Sequence, residues 1–187
     1  MKYVSTRNNQ IELGFKDVFI KGLSEEGGLF VPKTLEAYNE QDLNDFKKLN
    51  YNDLALKILH PFCRDFIDEN NLKIIIEKSY SKFREKEVIK ITNLENLKLL
   101  ELYHGPTLAF KDIAMQFIGN LYQYYLNKNK DFLNIIVATS GDTGAAAIDA
   151  IKGKKNMNIF VLHPNNKISK VQRKLMTTVS EKNVFNI

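Results

Sequence analysis

The sequence predicts an α/β protein with a small, mainly helical N-terminal domain over residues 1–85. Residues 86–187 follow as the first part of a parallel-sheet βαβ domain of incomplete extent. Two observations predict this. Short, irregular segments give way after residue 85 to apolar runs of strand length alternating with helical stretches, the pattern of βαβ units. Those runs are continuous rather than alternating, which points to a parallel sheet covered on both faces.

The first part opens with an extended stretch over residues 2–7 and an amphipathic segment over 15–22. A Gly27-Gly28 turn then leads into Leu29-Phe30-Val31, closed by Pro32. Residues 53–59 read as helix, with Leu54, Leu56, Ile58 and Leu59 apolar and Pro61 limiting the continuation. A further helix starts at Asp68, whose carboxylate can cap the free N–H groups, and runs through residues 74–80. In the second part, residues 97–103 form a strand. A long helix follows over 112–127, with Ile113, Phe117, Leu121 and Tyr124 on one face. Strand 132–138, helix 143–151, strand 157–162, helix 169–179 and an opening strand at 183–187 complete the pattern. A sheet that breaks off while a strand begins is short of partners, so the chain is expected to be a fragment.

Composition excludes several classes. With 187 residues, 44% hydrophobic and 26% charged, the chain is neither disordered nor low-complexity. No apolar run approaches a membrane span, and the polar first ten residues are no secretory signal, so a cytoplasmic location is expected. The net charge of +5 is concentrated at the end. Lys167, Lys170, Arg173, Lys174 and Lys182 face only Glu181 there, and the chain lacks Trp. That distribution lacks the basic, aromatic-interleaved stripe of a nucleic-acid groove, so no nucleic-acid partner is expected. Cys63 is alone and reads as a small buried apolar residue. His60, His104 and His163 lack metal-ligand spacing, and His60 and His163 read as structural. Neither a P-loop nor a dinucleotide fingerprint occurs.

Two segments lie where an open α/β sheet receives ligands, beyond the carboxyl ends of strands. In His104-Gly105-Pro106-Thr107-Leu108-Ala109-Phe110-Lys111-Asp112, a tight turn delivers Lys111 to the start of the long helix. The positive end of a helix dipole disfavours an ammonium, and a neutral amine is what Schiff-base chemistry needs. By spacing alone, a solvated lysine beside a helpful Asp112 explains the segment as well. In Thr139-Ser140-Gly141-Asp142-Thr143-Gly144, glycines and a helix N-terminus suit an anion, and equally suit a well-capped βα turn.

Together the two segments resemble the threonine synthase family. L-E-L-Y-H-G-P-T-L-A-F-K-D, residues 100–112, is similar to that family's pyridoxal-phosphate lysine segment, and A-T-S-G-D-T-G-A-A-A, residues 138–147, to its substrate loop. V-L-H-P, K-I-S-K-V-Q-R-K-L-M-T-T, and the N-terminal Y-V-S-T-R and E-E-G-G-L-F-V-P extend the likeness over the whole chain. The resemblance implies a fold-type II enzyme that uses pyridoxal 5'-phosphate to convert O-phospho-L-homoserine and water to L-threonine and phosphate. It implies that Lys111 carries the cofactor and moves protons, and that Phe110 and Asp142 lie against the cofactor. Ser140, Gly141, Thr143 and Gly144 bind the substrate carboxylate on the same reading. Asn8 and Asn9 stand where the family has a glycine after S-T-R. The family's cofactor-phosphate cradle and the residue facing the pyridine nitrogen lie further along than Ile187, so these residues alone are expected to bind the cofactor weakly and not turn over. Two other readings remain: a non-catalytic threonine synthase-like binding protein, and another fold-type II lyase.

Overall fold

The computed structural model describes residues 1–187 and contains two compact units, Met1–Ile76 and Glu77–Ile187. In the first, strands β1 (Lys2–Ser5), β2 (Glu12–Gly14) and β3 (Phe30–Pro32) form an antiparallel sheet in the order β2-β1-β3. Helices α1 (Phe15–Lys21), α2 (Glu40–Phe46) and α3 (Tyr51–Cys63) belong to this unit, and α4 (Glu69–Tyr80) spans the division. Period-2 alternation puts Tyr3 and Ser5 on the buried face of β1. Tyr3 donates to the Phe62 carbonyl at 2.7 Å, and its ring lies 6.0 Å from Phe15, which stacks on Phe19 at 5.6 Å. The sheet is the part of this unit that helical periodicity does not announce, because its strands are only three or four residues long.

Helices α2, α3 and α4 begin where side chains can accept first-turn N–H groups. Asn39 and Asp42 form a reciprocal capping box on α2, Asn50 accepts from Asp53 N at 3.0 Å, and Asp68 accepts from Asn71 N at 3.0 Å. Asp68 therefore caps α4 as its position predicts, and these bonds hold its carboxyl below the ordinary range. Pro61, in contrast, does not end α3, which continues to Cys63. The carbonyl that loses its donor is that of Lys57, an exposed residue where water can replace the bond, while Leu59 O accepts from Cys63 Sγ at 3.3 Å. Cys63 is buried, and burial pushes its thiol up to about 12.

The second unit begins with an antiparallel hairpin, β4 (Lys90–Leu94) and β5 (Leu97–Glu101), in register from Lys90↔Glu101 to Leu94↔Leu97. Then come α5 (Asp112–Asn129), β6 (Leu133–Ala138), α6 (Asp142–Ile151), β7 (Met157–Leu162), α7 (Lys170–Thr177) and β8 (Val184–Asn186). Strands β6, β7 and β8 are parallel and lie in sequence order. That order explains a departure from the expectation of a sheet covered on both faces. Right-handed crossovers that step always in one direction put every helix on the same face. Leu126, Ile148, Ile151 and Met176 accordingly pack with Met157, Ile159 and Val161 in one core. The opposite face carries Ile136, 72% exposed, and Phe160 stacked on Phe185 at 4.8 Å.

The most buried line of α5 is also not the predicted apolar one. Asp112, Gln116 and Asn120, one turn apart, are buried together with Leu121 and Leu126. Each polar group is partnered: Gln116 Nε2 donates to Asp149 at 2.8 Å, and Asn120 Nδ2 donates to Ser79 at 3.0 Å. Gly119 lies between them, where a Cβ would come 2.7 Å from the Ala150 carbonyl oxygen. The close approach of α5 and α6 therefore depends on that glycine.

Candidate active site

The segment from His104 to Lys111 is a turn braced from inside. Leu108 adopts a left-handed conformation (φ 64°), and Leu108 N–H donates to the Gly105 carbonyl at 3.2 Å. The brace is the carboxylate of Asp112, which is 0% exposed. Thr107 N–H donates to its Oδ2 at 2.8 Å and the Thr107 hydroxyl to its Oδ1 at 2.7 Å. Gly105 passes so near that a Cβ would lie 2.5 Å from Oδ2. Burial pushes the Asp112 carboxyl up, opposed by the two bonds from Thr107, and the neighbouring Asp149 charge adds to the rise. The side chain that reads from sequence as a helix-favouring charge beside Lys111 is thus turned inward, leaving Lys111 unpaired with it.

Lys111 is the N-cap residue of α5. Its Nζ lies 5.4 Å from the centroid of the Phe110 ring and takes part in no ion pair. Phe110 is 59% exposed, an aromatic face held outward beside the amine. Just upstream, Glu101 accepts from the hydroxyls of Thr92 at 2.5 Å and Tyr103 at 3.0 Å, and lies 2.9 Å from His104 Nε2. The Thr92 bond is the first cause that holds its carboxyl below the ordinary range.

The second segment joins β6 to α6. The hydroxyl oxygen of Thr139 accepts from Gly141 N–H at 3.1 Å and Gly144 N–H at 3.0 Å, so it is the group that caps this turn. Gly141, at φ 152°, takes a conformation few side chains tolerate. The amide of Gln172 lies over it, where a Cβ would meet Nε2 at 2.5 Å, and the same Nε2 donates to Asp142 Oδ1 at 2.7 Å. Gly144 is buried against Thr139 and Met176. Since Gly141 and Gly144 already donate to Thr139, the groups this loop leaves for an anion are the first-turn N–H groups of Asp142 and Thr143, with the Ser140 and Thr143 hydroxyls.

Helix packing brings the two segments to one end of the unit. Gln116 meets Asp149, Asn120 meets Lys154, and Gln123 meets Lys155, a steady offset of 33, 34 and 32 residues. Lys154 and Lys155 follow α6, and on α6 itself Gly119 lies against Ala150, so numbers that rise together mean that α5 and α6 run in the same direction. Carried back along both helices, the offset sets Lys111 level with the first turn of α6. The amine and the anion-suited loop thus open on the same side. Thr139, Gln172 and the inward role of Asp112 escape a reading of the sequence. Only Gln172 has a signal, since Ser169-Lys170-Val171-Gln172 is a capping-box pattern: Ser169 caps α7 through Gln172 N–H at 3.2 Å.

Comparison with known proteins points to one family. Residues 2–80 match the family model described as threonine synthase N terminus. The chain is 41% identical to threonine synthase of Saccharomyces cerevisiae, with 97% of this chain and 38% of that protein covered. It is also 41% identical to the enzyme of Pseudomonas aeruginosa, over 100% of this chain and 40% of that one. Among solved structures, PLP-bound threonine synthase from Brucella melitensis superposes with a TM-score of 0.93 at 38% identity, covering 100% of this chain and 40% of that one. The chain thus spans about two fifths of the length of the relatives it matches. Over its whole length it matches the N-terminal portion of the threonine synthase family.

Proposed function

We propose that this chain supplies the lysine-bearing portion of a fold-type II enzyme that forms L-threonine and phosphate from O-phospho-L-homoserine and water. The observation that carries the reading is the unpaired Lys111 amine on a turn braced by Asp112, level with the loop of Ser140 to Gly144. The residues present fit pyridoxal 5'-phosphate. Lys111 has no carboxylate partner to block its amine, and Phe110 presents a ring beside it. When bound, the cofactor supplies a conjugated ring that takes up the electron pair left on the substrate's carbon.

The protein's own groups do the rest. The Lys111 amine takes the protons from the substrate's Cα and Cβ in turn and returns them as an acid, phosphate leaves from Cγ, and water adds at Cβ. The N–H groups of Asp142 and Thr143 and the hydroxyls of Ser140 and Thr143 orient the substrate carboxylate. Gly141 and Gly144 shape that loop, and Gln172 fixes the Asp142 carboxylate beside it. On this reading residues 86–187 carry the chemistry and residues 1–85 form the leading domain, and the enzyme works in the cytoplasm. No helix of the structure is long and apolar enough to cross a membrane.

The experiment is release of threonine and inorganic phosphate from O-phospho-L-homoserine by the full-length natural protein. Activity is expected, with a loss of at least about a thousandfold in Lys111→Ala. Activity unchanged in that variant would contradict the assignment. A second reading, a related protein without this activity, is favoured by likeness to proteins named threonine synthase-like 2, such as that of Mus musculus at 38% identity. A folded full-length protein that binds the cofactor at Lys111 yet forms no threonine would select it.

A further inference from the structure

Helix α7 closes on the loop of Ser140 to Gly144 with two residues one turn apart. The sulfur of Met176 lies against Gly144, and the amide of Gln172 lies over Gly141. Gln172 stands three residues after the cap Ser169, where a glutamine ordinarily reaches back to the backbone N–H of the cap. Here the side chain goes elsewhere. Gln172 Oε1 accepts from the Ser169 hydroxyl at 3.1 Å, and Nε2 donates to Asp142 Oδ1 at 2.7 Å. The two bonds fix which way the amide faces. Turned over, its oxygen would meet the Asp142 oxygen, acceptor against acceptor. Asp142 is therefore held by a donor of one orientation. Its Oδ2 takes no hydrogen bond from the protein, and the residue is exposed and in no ion pair.

The rest of the loop offers donors, namely the N–H groups of Asp142 and Thr143 and the hydroxyls of Ser140 and Thr143. One acceptor among donors separates an amino acid from a plain carboxylate, since only the amino acid brings N–H groups beside its anion. We propose that Gln172, oriented by Ser169, is a positioning residue that holds Asp142 as the acceptor for the amino group of an amino-acid ligand. The proposal deepens the threonine synthase reading and rests on it for the identity of that amino acid.

The test compares the full-length natural protein with Gln172→Glu and Gln172→Ala at pH 8 and pH 5.5. In Gln172→Glu at pH 8 two carboxylates face each other. KM for O-phospho-L-homoserine is expected to rise about tenfold over wild type, with kcat within about twofold. At pH 5.5 the pair shares a proton, the variant's carboxyl again donates to Asp142, and KM should return to within about threefold of wild type. Gln172→Ala has no donor at either pH, so its rise of about fivefold should persist. Amide exchange at Gly141 and Asp142 should follow the same pattern, faster than wild type in Gln172→Glu at pH 8 and close to it at pH 5.5. Inhibition by 4-phosphonooxybutanoate, which lacks the amino group, should change less than about twofold among the three proteins at pH 8.

Wild-type KM and exchange in Gln172→Glu at pH 8, or a loss that acid does not reverse, would overturn the proposal. An equal loss for the inhibitor without an amino group would overturn the role given to Asp142. A wild-type protein that forms no threonine would instead fail the threonine synthase reading, and the exchange measurement would still decide whether Gln172 holds Asp142.

Discussion

The two turns that frame the candidate site are held in opposite ways. The Lys111 turn is braced by a side chain five residues along the chain, since Asp112 gathers both donors of Thr107 and is then fully buried. The Ser140–Gly144 turn is held by Thr139 from within and by Gln172 from another helix thirty residues away. A buried, doubly bonded carboxylate makes the first turn costly to disturb. The second leans on a neutral hydroxyl and an exposed amide and is cheaper to disturb. A rigid turn at Lys111 beside a more adjustable loop at Ser140–Gly144 is the contrast the geometry describes.

The largest expected effect tests the rigid side. Asp112→Ala leaves Thr107 N–H without its acceptor and removes a buried group, and it should destabilise the fold by about 3 kcal/mol in denaturant titration. A loss below about 1 kcal/mol would show that the brace is not what holds the turn. Gly105→Ala comes next, at about 2 kcal/mol, because its Cβ would press on the same carboxylate. On the adjustable side, Thr139→Val removes the acceptor of Gly141 and Gly144 N–H and should cost about 1–2 kcal/mol. Faster amide exchange at both glycines would accompany it. Gln172→Ala should cost less than about 0.5 kcal/mol while loosening Gly141 and Asp142, which amide exchange at those residues would register. If Gln172→Ala proved as damaging as Asp112→Ala, the contrast between the turns would disappear.

Acid separates two carboxylates of the second unit. The folded value of Asp112 is raised, chiefly by burial, so its contribution is fully present below the ordinary carboxylate range and is lost as pH rises through the folded value. Wild type should therefore lose ground to Asp112→Asn as pH rises from acid to neutral. Glu101 is lowered, first by its bond from Thr92, so its contribution is present above the ordinary range and is lost as pH falls through the lowered value. Wild type should gain on Glu101→Gln over the same rise. Thermal melts of the three proteins across that range check both signs, and matching slopes would contradict the assignment of causes.

What the sequence discloses follows the range of the interactions involved. Local signals carry far: Asp68 caps α4, β7 spans residues 157–162 as its apolar run predicts, and Lys111 stands at the head of a long helix. Pro61 misleads because an exposed Lys57 carbonyl can be hydrated, a matter of surroundings rather than of propensity. The polar line of α5 is invisible to hydrophobic periodicity, since Gln116 and Asn120 are buried only because Asp149, Ser79 and Lys154 supply partners. The candidate site divides the same way. Its chemistry-bearing residues stand in two short motifs, whereas Gln172 joins it only through tertiary packing.

The most direct test of the central claim is to incubate the full-length natural protein with pyridoxal 5'-phosphate, reduce it with borohydride, and map the adduct by peptide mass spectrometry. The braced-turn account predicts one reduced adduct, at Lys111, absent in Lys111→Ala. A stable adduct at another lysine, with Lys111 unlabelled, would contradict it.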